Sequence, residues 1–226
     1  MDYSRFSAIS RGQEKSIGSL LMLVFSISFL YGKPDPQAAS ILKKAEKYYA
    51  SAKALELSFQ YEYTAAESKP TVQNGSYRLL GDQFELDLQD QWILYDGLAQ
   101  YTYLKKNKEI QITAPSIDEL NFHPKTLLDY SKNGKFDFRL EGVEKIQNVN
   151  CNVVDFKPLD KNISLFKIKL FIDSKTNQIK QVKFYEKNGD RITILFKKHN
   201  QSVKFTQKDF TFSAAKFPGV HVEDLR

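Results

Sequence analysis

The sequence predicts a mainly β (α+β) fold: a half-open antiparallel β-barrel of about 11–12 strands, with an N-terminal helix and a short helical lid insert. Three observations carry that prediction. Apolar residues recur at period two over most of the chain from Leu55 onward, the signature of strands with one buried face. Turn residues separate these runs so closely that consecutive runs pair as an antiparallel meander. Helical periodicity is confined to one N-terminal stretch and one insert, so few helices are available to cover a long sheet.

The first element is the helix. From Asp35 to about Ala54, Ala38, Ile41, Leu42, Ala45, Tyr48, Tyr49 and Ala52 fall at three- and four-residue steps. Asp35-Pro36 supplies an N-cap and a first-turn proline. The period then switches to two. "LELSFQYEY" sets Leu55, Leu57, Phe59, Tyr61 and Tyr63 on one face; "GSYRL" adds Tyr77 and Leu79, and "FELDL" adds Phe84, Leu86 and Leu88. "WILYDGLAQYTYLKKNKEIQI" contributes three strands whose larger residues alternate as Trp92 and Leu94, Tyr101 and Tyr103, and Ile110 and Ile112. Turns are expected at Asn74-Gly75, Gly81-Asp82, Asp90-Gln91, Asp96-Gly97 and Lys106-Asn107.

The meander is interrupted by "APSIDELNFHPKTLLDYSKNGK". Ser116 with Glu119 resembles a capping box, and Pro124 opens a second helical piece ending near Tyr130. Leu120, Phe122, Leu127 and Leu128 give the insert an apolar side, which suits either a plug on a sheet or a movable cover. Strands resume with "FDFRLEG", "CNVVDFKP", "LFKIKLFID", "QIKQVKFYE", "RITILFKKH" and a last one at "KDFTFSA". Within them Phe166, Ile168, Leu170 and Ile172 face one way while Lys167 and Lys169 face the other; Phe184 and Ile194 continue the apolar side.

Composition is that of an ordinary globular protein: 226 residues, 42% apolar and 27% charged. No period or linker divides the chain, which reads as one domain after a leader. Arg5, Arg11 and Lys15 precede the apolar run Ile17–Tyr31, followed by "GKPDPQAAS", the layout of a secretory signal peptide over residues 1–32. The run is short against the roughly 20 residues of a membrane span; a retained N-terminal anchor is the alternative. Ser26-Ile27-Ser28 and Leu30-Tyr31-Gly32 both fit as cleavage sites. No cysteine for lipid attachment lies near the exit of that run, so an exported, soluble product is expected. Cys151 is the sole cysteine, which excludes an intramolecular disulfide, and no histidine lies near it in sequence to activate the thiol. The formal charge of +6 comes mostly from lysines alternating with apolar residues, the pattern of a solvated sheet face. Few arginines and no recognition motif argue against nucleic acid.

A sheet of this length with one apolar face curls around its helices or packs on itself. Pattern alone leaves a filled core and a ligand cavity both open, with the filled core slightly ahead. No chemistry is spelled out: His123, His199 and His221 lie apart and outside metal-ligand spacings, and there is no GxSxG, phosphate-binding glycine loop or CxxC. No catalytic residue, metal or cofactor is expected.

Several segments together resemble the outer-membrane lipoprotein carrier family (LolA-like proteins). "AASILKKAEKYYASAKALELSFQYEY" is similar to the family's opening helix and first strand, and "NGSYRLLGDQFELDL" to its second hairpin with a "G-D-x-F" turn. "WILYDGLAQYTYLKKNKEIQI" resembles the "SDG-x-x-x-W-x-Y" segment, and "KDFTFSAAKFPGVHVEDLR" the closing strand and tail. The likeness runs in order through residues 33–226. It implies a periplasmic carrier: an open barrel under a helical lid, sheltering lipoprotein acyl chains between an inner-membrane lipoprotein-releasing transporter and an outer-membrane acceptor. It implies a monomer without cofactor. The lining would comprise Phe59, Tyr61, Tyr77, Leu79, Phe84 and Leu86, then Trp92, Leu94, Tyr101, Tyr103, Ile110 and Ile112, and finally Phe166, Ile168, Leu170, Phe184 and Ile194. Leu120, Phe122, Leu127 and Leu128 would form the lid. In the family an arginine before the proline turn hydrogen-bonds to the lid; the matching position here is Leu80-Gly81, with Arg78 slightly earlier, so that role is not carried over to Arg78. The alternatives are a sensor of mislocalised lipoproteins on the same fold, usually with a further C-terminal domain, a carrier of another lipid, and a β-protein with a filled core.

Overall fold

The computed structural model describes residues 35–114 and 123–226; the expected signal peptide and the lid residues Leu120 and Phe122 lie outside them. Helix α1 spans Pro36–Ala50. Asp35 caps it, its Oδ1 accepting from the N–H groups of Gln37 (2.8 Å) and Ala38 (3.3 Å). The other carboxylate oxygen of Asp35 accepts from the N–H of Leu140 at 2.9 Å. Three backbone donors, Leu140 first, hold the Asp35 carboxyl below the usual carboxylate range. One cap therefore ends a helix and ties it to the sheet.

Strands β1 (Ala54–Thr64), β2 (Thr71–Leu80), β3 (Gln83–Asp87), β4 (Gln91–Tyr95), β5 (Gln100–Leu104) and β6 (Glu109–Thr113) form the first meander. Helix α2 (Pro124–Asp129) follows. Then β7 (Phe136–Ile146), β8 (Val149–Pro158), β9 (Leu165–Asp173), β10 (Ile179–Glu186) and β11 (Arg191–Asn200) form the second. The closing β12 is His221–Asp224. All twelve strands belong to one sheet, in the order β12-β6-β5-β4-β3-β2-β1-β11-β10-β9-β8-β7. Strand β11 returns to pair with β1, so the chain's two meanders are joined at their first and last strands. Among the described residues the far edges, β7 and β12, do not pair, and the barrel is open.

Two local expectations are corrected. Asn74-Gly75 is not a turn: both residues lie inside β2, and Gly75 pairs with Phe59. A glycine is needed there because a Cβ would sit 2.5 Å from Phe59 Cζ and 2.8 Å from Leu88 Cδ2; the Phe59 ring lies over the bare backbone. "KDFTFSA" is not a strand either. Gln207–Phe210 is a 3₁₀ turn, in which the Asp209 carboxylate accepts from the N–H of Thr206 at 2.7 Å, and the following residues run across the outer sheet face. The last strand comes later and runs parallel to β6, with His221 opposite Glu109 and Asp224 opposite Ile112.

The main core lies between the helices and the concave sheet face. It joins Ala38, Leu42 and Ala45 of α1 and Leu127 and Leu128 of α2 to Leu57, Phe59, Tyr77, Leu86, Phe156 and Phe196, among others.

Candidate functional site

Strand register decides which side chains reach the concave face. Phe84 pairs with Tyr95 and Leu86 with Ile93, and all four belong to the helix-covered core or pack against it. Glu85 and Asp87 on the opposite face pair with Leu94 and Trp92. From there the ladder continues Leu94–Tyr101–Ile112 and Trp92–Tyr103–Ile110. The structure thus brings Phe59, Tyr61, Tyr77, Leu79, Phe84, Leu86, Ile168, Leu170, Phe184 and Ile194 together under the helices. It places Trp92, Leu94, Tyr101, Tyr103, Ile110 and Ile112 on the outer face. Phe166, at the start of β9, is 56% exposed.

The outer aromatic face is covered by the chain's own C-terminal segment. Phe217 sits 5.2 Å from the Trp92 ring and 5.1 Å from that of Tyr103, and Phe212 stacks on Tyr101 at 4.3 Å. Arg78 belongs to this side. It pairs with Glu85 at 3.1 Å and lies over the rings of Phe205 (4.5 Å) and Phe210 (5.6 Å). Arg78 therefore fastens the C-terminal strap and is turned away from α2. The sequence reading missed Ile93 and Tyr95 because "WILY" is apolar in both phases; the pairing with Phe84 and Leu86 selects the inner one.

Helix α1 is anchored at both ends. Asp35 holds its start to β7, and Tyr49 holds its end. The Tyr49 hydroxyl accepts from the N–H of Ile179 at 3.0 Å and lies 3.0 Å from Nε2 of His199. Burial of His199 lowers its pKa to about 4, so the ring is neutral at pH 7 and its Nε2 shares a hydrogen bond with the Tyr49 hydroxyl. Helix α2 is attached differently. Leu127 and Leu128 are 0% and 2% exposed, and the salt bridge from Lys132 to Glu46 (2.9 Å) is the ion pair that joins its far end to α1. At its start, Nδ1 of His123 accepts from the N–H of Lys125 at 2.8 Å. Burial holds His123 down to about 4 as well, keeping Nδ1 free of a proton and able to cap.

Beneath α2 is Tyr77. It is fully buried, stacked on Phe84 at 5.8 Å and met edge-on by His123 at 5.9 Å. Its hydroxyl has no hydrogen-bond partner among the described residues, and burial pushes its pKa up.

Two clefts flank this core. One of about 810 Å³ opens between α1, α2 and the β2–β3 turn, reaching Leu55, Leu79, Pro124 and Leu128. The other, of about 380 Å³, opens among β1, β2, β10 and β11, reaching Tyr61, Tyr63, Phe184, Ile192 and Ile194. Leu55 and Tyr63 are eight residues apart on β1, about 26 Å at the ~3.3 Å rise of a strand. Between them lie Leu57 and Phe59, both buried. Packed apolar side chains under the helices fill the space between the two openings.

Residues 84–213 match the family profile described as "Outer membrane lipoprotein carrier protein LolA". The chain belongs to the LolA family. No curated protein matches it by sequence. Among solved structures, the LolA-family chain is similar to an uncharacterised conserved protein from Thermus thermophilus. That likeness has a TM-score of 0.56 at 11% identity and covers 83% of this chain and 99% of that one. A LolA superfamily protein from Nitrosomonas europaea has a TM-score of 0.43 at 13% identity, covering 77% and 97%. The Mycobacterium tuberculosis lipoprotein LppX has 0.46 at 11%, covering 76% and 100%. The open sheet with its two helices is the fold expected of the family.

Proposed function

We propose that the protein is a carrier of acyl chains, exported to the periplasm by its N-terminal signal, and that it moves lipoproteins from the inner to the outer membrane. The observation that supports this most is the pair of clefts with largely apolar walls at the two ends of β1, beside the helix-covered core. The lining on this reading is the inward set, Tyr61, Tyr77, Phe84, Ile168, Phe184 and Ile194 with their neighbours. Helix α2 is the door: six residues long, held mainly by Leu127 and Leu128, beside the fixed α1.

The energetics suit transfer. A buried methylene is worth about 0.8 kcal/mol, so ~15 of them approach 12 kcal/mol if fully sheltered. Re-burying Leu127 and Leu128 returns roughly 1.5–3 kcal/mol each. Closure of the empty carrier thus offsets a substantial part of acyl-chain binding and leaves release within reach of a tighter acceptor. The partners on this reading are an acylated lipoprotein, a lipoprotein-releasing transporter and an outer-membrane acceptor.

The test is binding of a fluorescent acyl-chain probe to the purified protein, with mass spectrometry of co-purifying lipid. Leu127→Ser should weaken the closed state and raise probe affinity several-fold. A protein that carries no lipid and excludes the probe in both forms overturns the proposal.

A further inference from the structure

The cleft between α1 and α2 carries charge that the sheltering of acyl chains does not need. Lys43, Lys44 and Lys47 of α1 line it together with Lys125 and Lys132, against Glu46, Asp82 and Asp129: five lysines to three carboxylates. Lys132 engages two of those carboxylates, Glu46 at 2.9 Å and Asp129 at 3.7 Å. Among the described residues, Lys43, Lys44, Lys47 and Lys125 make no ion pair. Lys43 and Lys47 are four residues apart on α1, where like charges face each other and weaken a helix. The floor beneath them is uncharged: Leu55, Leu79, Pro124 and Leu128, with His123 kept neutral by burial. A basic rim over an apolar floor is complementary to an amphiphile whose head is acidic.

We infer that this cleft is a headgroup site for an anionic, phosphate-bearing lipid, held by Lys43, Lys47 and Lys125 while its acyl chains pack on the apolar floor below. The inference rests on the acyl-chain carrier reading above and gives that carrier a phosphate-bearing lipid as a second class of cargo beside acylated lipoprotein. Lysine suits the task because an ammonium on a flexible stem meets a phosphate as a point charge from several directions. A choline head brings its own cation to the same rim and is repelled.

The experiment uses short-chain lipids as monomers below micelle formation: dihexanoyl phosphatidylglycerol, dihexanoyl phosphatidylcholine and dihexanoylglycerol, each displacing an acyl probe from the purified protein. The expected result is a preference for phosphatidylglycerol of roughly tenfold at low salt, shrinking as ionic strength shortens the Debye length. The triple variant Lys43→Gln, Lys47→Gln, Lys125→Gln, all exposed positions, should lose that preference and still bind dihexanoylglycerol. Equal affinity for the three lipids overturns the headgroup site while leaving the carrier reading standing. No binding of probe or lipid overturns the carrier reading itself. Binding to phosphatidylglycerol vesicles without binding of the monomer overturns the site in favour of adhesion to a charged surface.

Discussion

Tyr77→Phe should make the protein more stable and a weaker binder. The Tyr77 hydroxyl is fully buried and has no partner among the described residues; mutational data put the burial of such a group at about 1–3 kcal/mol. Phenylalanine keeps the ring on Phe84 and His123 and removes only the unmet oxygen. A gain of about 1 kcal/mol is expected, which is a Tm rise of roughly 2–4 °C for a chain of this size and, at a urea m-value near 2 kcal/mol/M, a midpoint shift of about 0.5 M. On the carrier reading the hydroxyl is unsatisfied only while α2 is closed over it; once the door lifts, water or a lipid carbonyl can take it. Its removal therefore favours the closed, empty state, and acyl-probe affinity should fall by roughly fivefold for that 1 kcal/mol. Urea titration and probe titration on the same two proteins read both quantities. A variant less stable than the parent would mean that the hydroxyl is hydrogen-bonded, and stabilisation without loss of affinity would mean that α2 does not move for binding.

Gly75→Ala should cost about 1–3 kcal/mol by overpacking, because the new Cβ would meet Phe59 and Leu88 at 2.5 and 2.8 Å. Adding Phe59→Leu should recover part of that loss in a double-mutant cycle, and a neutral Gly75→Ala would show that the strand can shift. Stability should also fall on mild acidification. His123 and His199 titrate at about 4 in the folded protein against about 6.5 unfolded, so between these values the unfolded chain binds more protons. Their contribution is complete above pH 6.5 and is lost as pH falls towards 4, at up to about 1.4 kcal/mol per unit for each histidine. His123→Asn retains a good N-cap and should roughly halve the slope of the urea midpoint between pH 7 and 5, leaving the part due to His199; a parent protein with no slope in that window contradicts the burial of both rings.

Much of the fold was legible locally. Asp35-Pro36 marked the start of α1, Pro124 that of α2, and the alternation in "LELSFQYEY" marked a strand whose other face is polar. The Asp96-Gly97 turn was equally explicit: Asp96 Oδ1 accepts from the N–H of Leu98 at 2.8 Å and of Ala99 at 2.9 Å. The site was only partly legible. Tyr61, Tyr77, Phe84 and Phe184 could be placed from alternation, but the aromatics of β4 to β6 could not. An unsatisfied hydroxyl or a cleft has no pattern of its own, since each arises from residues far apart in sequence.

The sequence by itself determined where helices, most strands and most turns fall, because period and capping are properties of neighbouring residues. Tertiary structure decided which way β4 to β6 present their aromatic side chains. A strand with one solvated face announces that face by alternation. Where both faces are covered, as at "WILY" between the inner core and the Phe212–Phe217 strap, both phases are apolar and only cross-strand register chooses between them. The same holds for Arg78. Its neighbours fixed its alternation with Tyr77 and Leu79, but the rings of Phe205 and Phe210, more than a hundred residues away in sequence, settled what it does.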